Sequence, residues 1–324
     1  MAIQSWGIAA DKIAELCKTP IPGNLYYEIA TRMERVGKKA ETILYSTVHL
    51  PETVNLYYKD SHKLDFEATA ITTYANVLQK NKRNLVILNQ SLFYPTSGGQ
   101  LHDTGKLTFE TLGEFNIIDC IKVGKVVMHV IDGEIPEDVD IANMTVKGEV
   151  DGARRTQLMA HHTGTHVVFA SCRRVLGPHI WQAGAKKTTE QAHLDITHYK
   201  SLSKEEEAAI ENQANRLINE CVDISKGFMD KSEAELKYGF SLYQGGVVPG
   251  NQLRVVSIEG VDTEACCGTH ADNTSEVGWI RILKSQRISD GIVRLYYVAR
   301  DRAIEVMNNE AKIMNTLCET WGVD

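Results

Sequence analysis

The chain has 324 residues, 43% of them hydrophobic and 24% charged, with a formal net charge of -7. This is the composition of an ordinary globular protein and excludes disorder, while the negative balance excludes a polycation that holds nucleic acid indiscriminately. The length gives room for two or three compact domains.

No run of about 18 apolar residues occurs, and the opening MAIQSWGIAADKI has no basic segment followed by an apolar one, so a cytoplasmic protein without membrane association is expected. Seven cysteines, at 17, 120, 172, 221, 266, 267 and 318, form no regular framework and read as reduced thiols or metal ligands.

Residues 1–45 are expected to form a short helical segment, with apolar spacing through Ile8, Ile13 and Leu16, a break at Pro20 and Pro22, and a second stretch over 25–36. It is too small to fold alone and reads as leaning on another domain or as the remnant of a larger one. From 46 to 150 the pattern turns to β, with strand-like runs at 85–93, 115–123, 126–131 and 144–150, which predicts a small β-barrel. The loop Tyr94-Pro-Thr-Ser-Gly-Gly-Gln100, followed by His102, Asp103, Thr104 and Gly105, gathers flexible and polar residues. It suits a backbone approaching a ligand or another domain, and equally a tight barrel turn.

Residues 151–300 mix helices and strands, as in an α+β layer. Over 154–176, Leu158, His162, Thr165, His166, Phe169, Cys172 and Leu176 recur at helical steps, and Gly177 and Pro178 end the helix. A second helix over 204–222 opens with a capping box, Ser203 and Glu206. Strand-like runs follow at 253–258, 277–283 and 292–298. Residues 301–324 form a terminal helix with near-heptad apolar spacing. The basic pairs Arg154–Arg155, Arg173–Arg174 and Lys186–Lys187 read as solvated surface or as phosphate contacts.

His162 and His166 lie four residues apart on the first helix, so both imidazoles emerge on one face and can share an ion. Cys266-Cys-Gly-Thr-His270 repeats the spacing with a thiol and an imidazole. Three nitrogens and a soft sulfur suit tetrahedral zinc better than calcium or magnesium. His161 is an alternative to His162, but a five-residue step to His166 rotates the two apart. Cys267 is a buried small residue, a reactive thiol or a substitute ligand, and the four-residue register favours Cys266. His162-Thr-Gly-Thr-His166 lacks the glutamate of the HExxH pattern, which argues against peptide hydrolysis. An ester can be cleaved by a metal-bound or positioned water without a dedicated carboxylate.

Six motifs in order resemble the editing region of alanyl-tRNA synthetases and the free-standing alanyl-tRNA editing proteins: Phe93-Tyr-Pro-Thr-Ser-Gly-Gly-Gln100 with His102, Asp103 and Gly105; His162-Thr-Gly-Thr-His166; Gln182 with Gly184; Leu194-Asp195; Cys266-Cys-Gly-Thr-His270; and Gly291 with Arg294. The likeness covers most of 85–300, and Pro22-Gly-Asn-Leu-Tyr-Tyr27 resembles the segment preceding it in archaeal-type members. It implies an α+β chain: the helical segment, the β-barrel (46–150), then a zinc-containing editing domain (151–300) and the terminal helix. It further implies that His162, His166, Cys266 and His270 surround Zn2+ and that Gln182 lines the amino-acid pocket. Gln182 and Thr165 are the expected catalytic residues, and Gly98, Gly99, Gln100 and Arg294 the expected substrate and tRNA contacts. Cys267 departs from the family's usual glycine and is expected to crowd the backbone or alter how the thiols share the metal.

The implied activity is that of an aminoacyl-tRNA deacylase, an ester hydrolase whose partner is tRNA(Ala) carrying the wrong amino acid, serine or glycine. No stretch resembles the aminoacylation domain of a class II synthetase, so charging of tRNA is not expected. The rival readings are a non-catalytic, zinc-stapled tRNA-binding module and a hydrolase for a different tRNA. The opening inside a helical region and the unpartnered closing helix are expected of a piece of a longer synthetase, with a stand-alone editor as the alternative; the oligomeric state is not readable.

Overall fold

The computed structural model describes residues 47, 49–74, 84–136, 138–244, 246, 248 and 250–322. The helices expected over 1–45 lie outside the described residues. In chain order the first half gives β1 (Val54–Asn55), β2 (Asp65–Tyr74), β3 (Leu85–Leu88), β4 (Gln90–Ser91), β5 (Gly105–Phe109), β6 (Gly113–Val123), β7 (Val126–Ile131) and β8 (Thr145–Val150). Six of these close into a barrel in the order β2-β3-β7-β6-β5-β8, while β1 pairs with β4 in parallel. Alternation decides which side chains fill it: Phe66, Ala68 and Ala70 of β2, Leu107 and Phe109 of β5, and Val146 and Val150 of β8 all turn into one core. The single run expected at 85–93 is two strands, because Asn89 interrupts it, its N–H donating to Thr69 O and its carbonyl accepting from Val54 N.

The second half gives α1 (Gly152–Leu176), β9 (Gln182–Lys187), β10 (Ala192–Thr197), α2 (Lys204–Asn219), β11 (Ile224–Asp230), α3 (Lys231–Tyr238), β12 (Gln252–Ile258), β13 (Asp262–Ala265), β14 (Ile280–Ser289), β15 (Ile292–Ala299) and α4 (Asp301–Trp321). A four-stranded sheet runs β14-β15-β10-β9 and a three-stranded one β11-β12-β13. Helix α1 is buried almost all round, as a central core helix must be, and packs Val167, Val168 and Phe169 into a core shared with Leu194, Leu217 and Leu295. Its N-cap is Asp151, whose carboxylate accepts the Arg154 N–H, and Gly177 closes its other end. The capping box of Ser203 and Glu206 opens α2 as its sequence predicts. The strand expected at 277–283 starts later, at Ile280, because Val277 closes a 3-10 turn and Gly278 takes a φ of +72°. The mixed α+β class and the barrel agree with the expectation. Among the described residues no helix is long and apolar enough to cross a membrane.

The two halves meet through the loop after β4. Arg155, in the first turn of α1, and Asp103 in the loop form an ion pair at 2.6 Å with side-chain exposures of 1% and 0%. Arg155 also donates to Ser61 O at 2.8 Å and Leu92 O at 2.6 Å, and Asp103 accepts the Tyr94 N–H at 2.7 Å. Arg155 is therefore neither solvated surface nor a phosphate contact. Past this clamp, Gly99 O accepts the Lys187 N–H and Lys187 O accepts the Leu101 N–H, so the loop lies against the edge strand β9. Gly99 sits at φ +75°, and a Cβ there would come 2.1 Å from Ala185 O, so the approach requires glycine. Lys187 is buried, its Nζ donating to Gly98 O, while Lys186 beside it is exposed.

Candidate metal centre

One ligand atom from each of His162, His166, Cys266 and His270 lies within 4.8 Å of every other. The first two stand on α1, and the other two on the loop that follows β13. Cys266 Sγ is 3.3 Å from His162 Nε2 and 3.2 Å from His270 Nε2. Those separations are close to the edge of a zinc tetrahedron, about 3.3–3.6 Å for bonds of about 2.0–2.3 Å. All three histidines are buried and Cys266 is half-buried.

Each imidazole has a partner on its far nitrogen. Gln100 Oε1 accepts from His162 Nδ1 at 2.6 Å, and Asp262 Oδ2 accepts from His166 Nδ1 at 2.7 Å. Thr163 Oγ1, which also accepts the Ala271 N–H, lies 3.2 Å from His270 Nδ1. A carbonyl or carboxylate oxygen can only accept, so Nδ1 of His162 and of His166 donates, and in a neutral His162 ring Nε2 keeps the lone pair a metal needs. Burial pulls His162 down to about 4, keeping it neutral. Burial opposes ionisation of the Cys266 thiol, but its place among His162, His270 and His166 outweighs burial and holds the thiol well below its usual range. Burial also takes His270 well below its usual range, whereas at His166 burial is outweighed by Glu264 and by the hydrogen bonds to Asp262 and Cys266, which raise it well above that range. Three imidazoles and a thiol are a donor set that suits zinc, and the group is compatible with that ion.

The ligand loop is shaped by Gly268, where a Cβ would fall 2.0 Å from His162 Cε1. Arg254 Nη1 donates to both Cys266 O and Gly268 O at 2.9 Å, fixing the loop's backbone. Cys267 stays outside the cluster: its thiol faces Tyr58, and burial pushes it up. His161, the alternative ligand, turns away and engages Thr188 O and Gln157.

Sequence reasoning missed the carboxylates. Asp262 and Glu264 lie beside His166, with Glu264 Oε2 3.7 Å from its Nδ1. Burial, reinforced by Asp262, raises Glu264 well above the usual carboxyl range, and its Oε1 has no hydrogen-bond partner among the described residues. The available signal was the two-residue step Asp262, Glu264, Cys266, which puts all three on one face of an extended segment. Thr163 and Gln157 carried no such signal.

The remaining expected residues make other contacts. Thr165 Oγ1 donates to His161 O and meets Tyr297 OH at 2.7 Å, tying α1 to the sheet. Gln182 opens β9, half-buried, its N–H donating to Gln244 Oε1. Arg294 makes two hydrogen bonds to Asp195, at 2.6 and 2.8 Å, across the β10–β15 pair, and Gly184 leaves room for that carboxylate. Gly98 and Gly99 carry the loop to β9, and Gln100 reaches the cluster itself.

A family model described as the threonyl and alanyl tRNA synthetase second additional domain matches residues 253–296, which include Cys266 and His270. A second, for tRNA synthetases class II (A), matches residues 7–154. That second likeness, to class II synthetases, takes in most of the first 45 residues and the barrel. Among curated proteins, the alanine–tRNA ligase of Methanopyrus kandleri is 41% identical over 98% of this chain and 34% of its own length. The Thermococcus kodakarensis enzyme is 40% identical over 99% of this chain and 35% of its own. That of Pyrococcus abyssi is 40% identical over 96% and 34%. The chain thus spans about a third of the length of the curated relatives it matches.

Proposed function

Because the chain belongs to the alanine–tRNA ligase family and covers about a third of its relatives' length, we propose that it hydrolyses the aminoacyl ester of mischarged tRNA(Ala), releasing serine or glycine. The observation that carries this reading is the convergence of three imidazoles and one thiolate on one point, with a partner held behind each ring. Zinc bound there supplies Lewis-acid polarisation of an ester carbonyl. The chain's own residues do the rest. Gln100 keeps His162 in one tautomer, Asp262 orients His166, and burial limits the access of bulk water. Water adds its oxygen to the acyl carbon, the bond from that carbon to the ribose oxygen breaks, and the ribose oxygen leaves with a proton. Gln182 is proposed to hydrogen-bond the serine hydroxyl; a site built that way separates it from an analogue lacking the hydroxyl by roughly 10⁴–10⁵, against ~10² for size alone. The barrel and the second half are proposed to work as one unit, since Gln100 reaches across.

One observation favours the rival, a non-catalytic zinc-stapled module that binds tRNA: four protein donors fill a tetrahedron, as in structural sites. Deacylation of seryl-, glycyl- and alanyl-tRNA(Ala) by the full chain decides between them. The proposal expects rapid loss of serine through the hydroxyl contact, slower loss of glycine, which lacks the hydroxyl and is set apart from alanine by size alone, sparing of alanine, and a drop of about 100-fold or more in Cys266→Ala and His162→Ala. A full chain that loads zinc yet releases none of the three amino acids would establish the staple instead.

A further inference from the structure

Of the three side chains standing behind the histidines, Asp262 and Thr163 come from the same half of the fold as the ligands. Gln100 comes from the barrel loop, and it is fully buried. Its Oε1 accepts from His162 Nδ1 at 2.6 Å and from Thr269 N at 3.2 Å, while its Nε2 donates to Thr269 Oγ1 at 2.8 Å. Thr269 directly precedes His270, so a single amide braces both α1 and the loop carrying Cys266 and His270. Its carbonyl requires the proton on His162 Nδ1, and the lone pair on Nε2 then faces Cys266 Sγ.

We propose that Gln100 is a positioning residue of the metal centre, delivered by the barrel, which sets the His162 tautomer and registers the Cys266–His270 loop against α1. The proposal rests on reading the four-residue cluster as a metal centre. The loop is built for this task. It is pinned by Asp103 to Arg155 at one end and by Gly99 O and Leu101 N to the Lys187 backbone at the other, with no freedom to withdraw Gln100 while the barrel stays docked. Metal affinity of the second half therefore depends on a residue of the first. A partner that orients a ligating histidine is worth about 10–100-fold in affinity.

The test uses the full chain stripped by chelator and titrated with Zn2+ against a competing chelator, and separately with Co2+ followed by its absorption spectrum. Gln100→Met, of similar length but without an acceptor, is expected to bind Zn2+ about 10–100-fold more weakly, with altered cobalt bands. Gln100→Glu keeps an acceptor toward Nδ1 and is expected to restore affinity and spectrum to near the wild-type form. Far-UV circular dichroism of the metal-free proteins is expected to superimpose. Equal affinity in Gln100→Met and wild type, or a Gln100→Glu as weak as Gln100→Met, overturns the role of Gln100 and leaves the metal centre standing. A wild-type chain that takes up neither ion overturns the metal centre itself, and this role with it.

Discussion

Removing the Asp103 carboxylate tests the joint between the two halves. In Asp103→Ala the guanidinium of Arg155 loses all three of its hydrogen bonds to Asp103, while its contacts to Ser61 O and Leu92 O keep it buried where it is. The charge is left uncompensated at 1% exposure, and the Tyr94 N–H loses its acceptor. Breaking one partner of a buried pair costs about 3–5 kcal/mol. Arg155→Met is expected to cost a similar amount, because it strands the Asp103 carboxylate and two backbone carbonyls. The double variant Asp103→Ala/Arg155→Met is expected to cost no more than the larger single one, because the pair can be broken only once. Urea unfolding at neutral pH, followed by circular dichroism and tryptophan fluorescence, measures each. A cost below about 1 kcal/mol for Asp103→Ala, or strictly additive costs in the double variant, would refute the assignment of this pair as the clamp.

Two further outcomes follow from single contacts. Gly268→Ala sets a methyl 2.0 Å from His162 Cε1, so ring or loop must shift; zinc affinity is expected to fall at least about tenfold while circular dichroism stays unchanged, and competition with a chelator reads the loss. His129, buried in the barrel, donates from Nδ1 to Val86 O and accepts at Nε2 from Ser91 Oγ, and burial lowers it from 6.5 to about 4. Between those values the unfolded chain holds a proton that the folded one does not. Stability is therefore complete above about pH 6.5 and falls as the pH drops toward 4, by at most about 3 kcal/mol from this group. His129→Gln is expected to flatten that slope in urea titrations at several pH values, and identical slopes would remove His129 as the cause.

The four-residue steps of His162–His166 and Cys266–His270 were legible because a helix and a tight loop each fix their own geometry locally. The capping box at Ser203 and the stop at Gly177 were legible for the same reason. Nothing local told that Asp103 and Arg155, 52 residues apart, neutralise one another, or that Gln100 meets His162 from a distance of 62 residues. The basic pair Arg154–Arg155 looked like surface because charge is ordinarily solvated, and only the folded loop provides the buried carboxylate. Strand β2, with Thr and Ala on its faces, lacked the continuous bulky run that marked Val126–Ile131. The two-residue step put Asp262 on the face of Cys266, but which face of β13 meets α1, and so His166, is a matter of packing.

The separation of 104 positions from His162 to Cys266 also imposes a timetable on the growing chain. At about 5–20 residues per second, the thiol leaves the ribosome about 5–20 s after the helix imidazoles. By then the barrel and its Gln100 loop are already synthesised, so His162 can be set before its sulfur partner exists. Until Cys266 arrives, the nascent helix offers two nitrogens alone, too few to hold an ion firmly, and the last-made loop decides when the cluster closes.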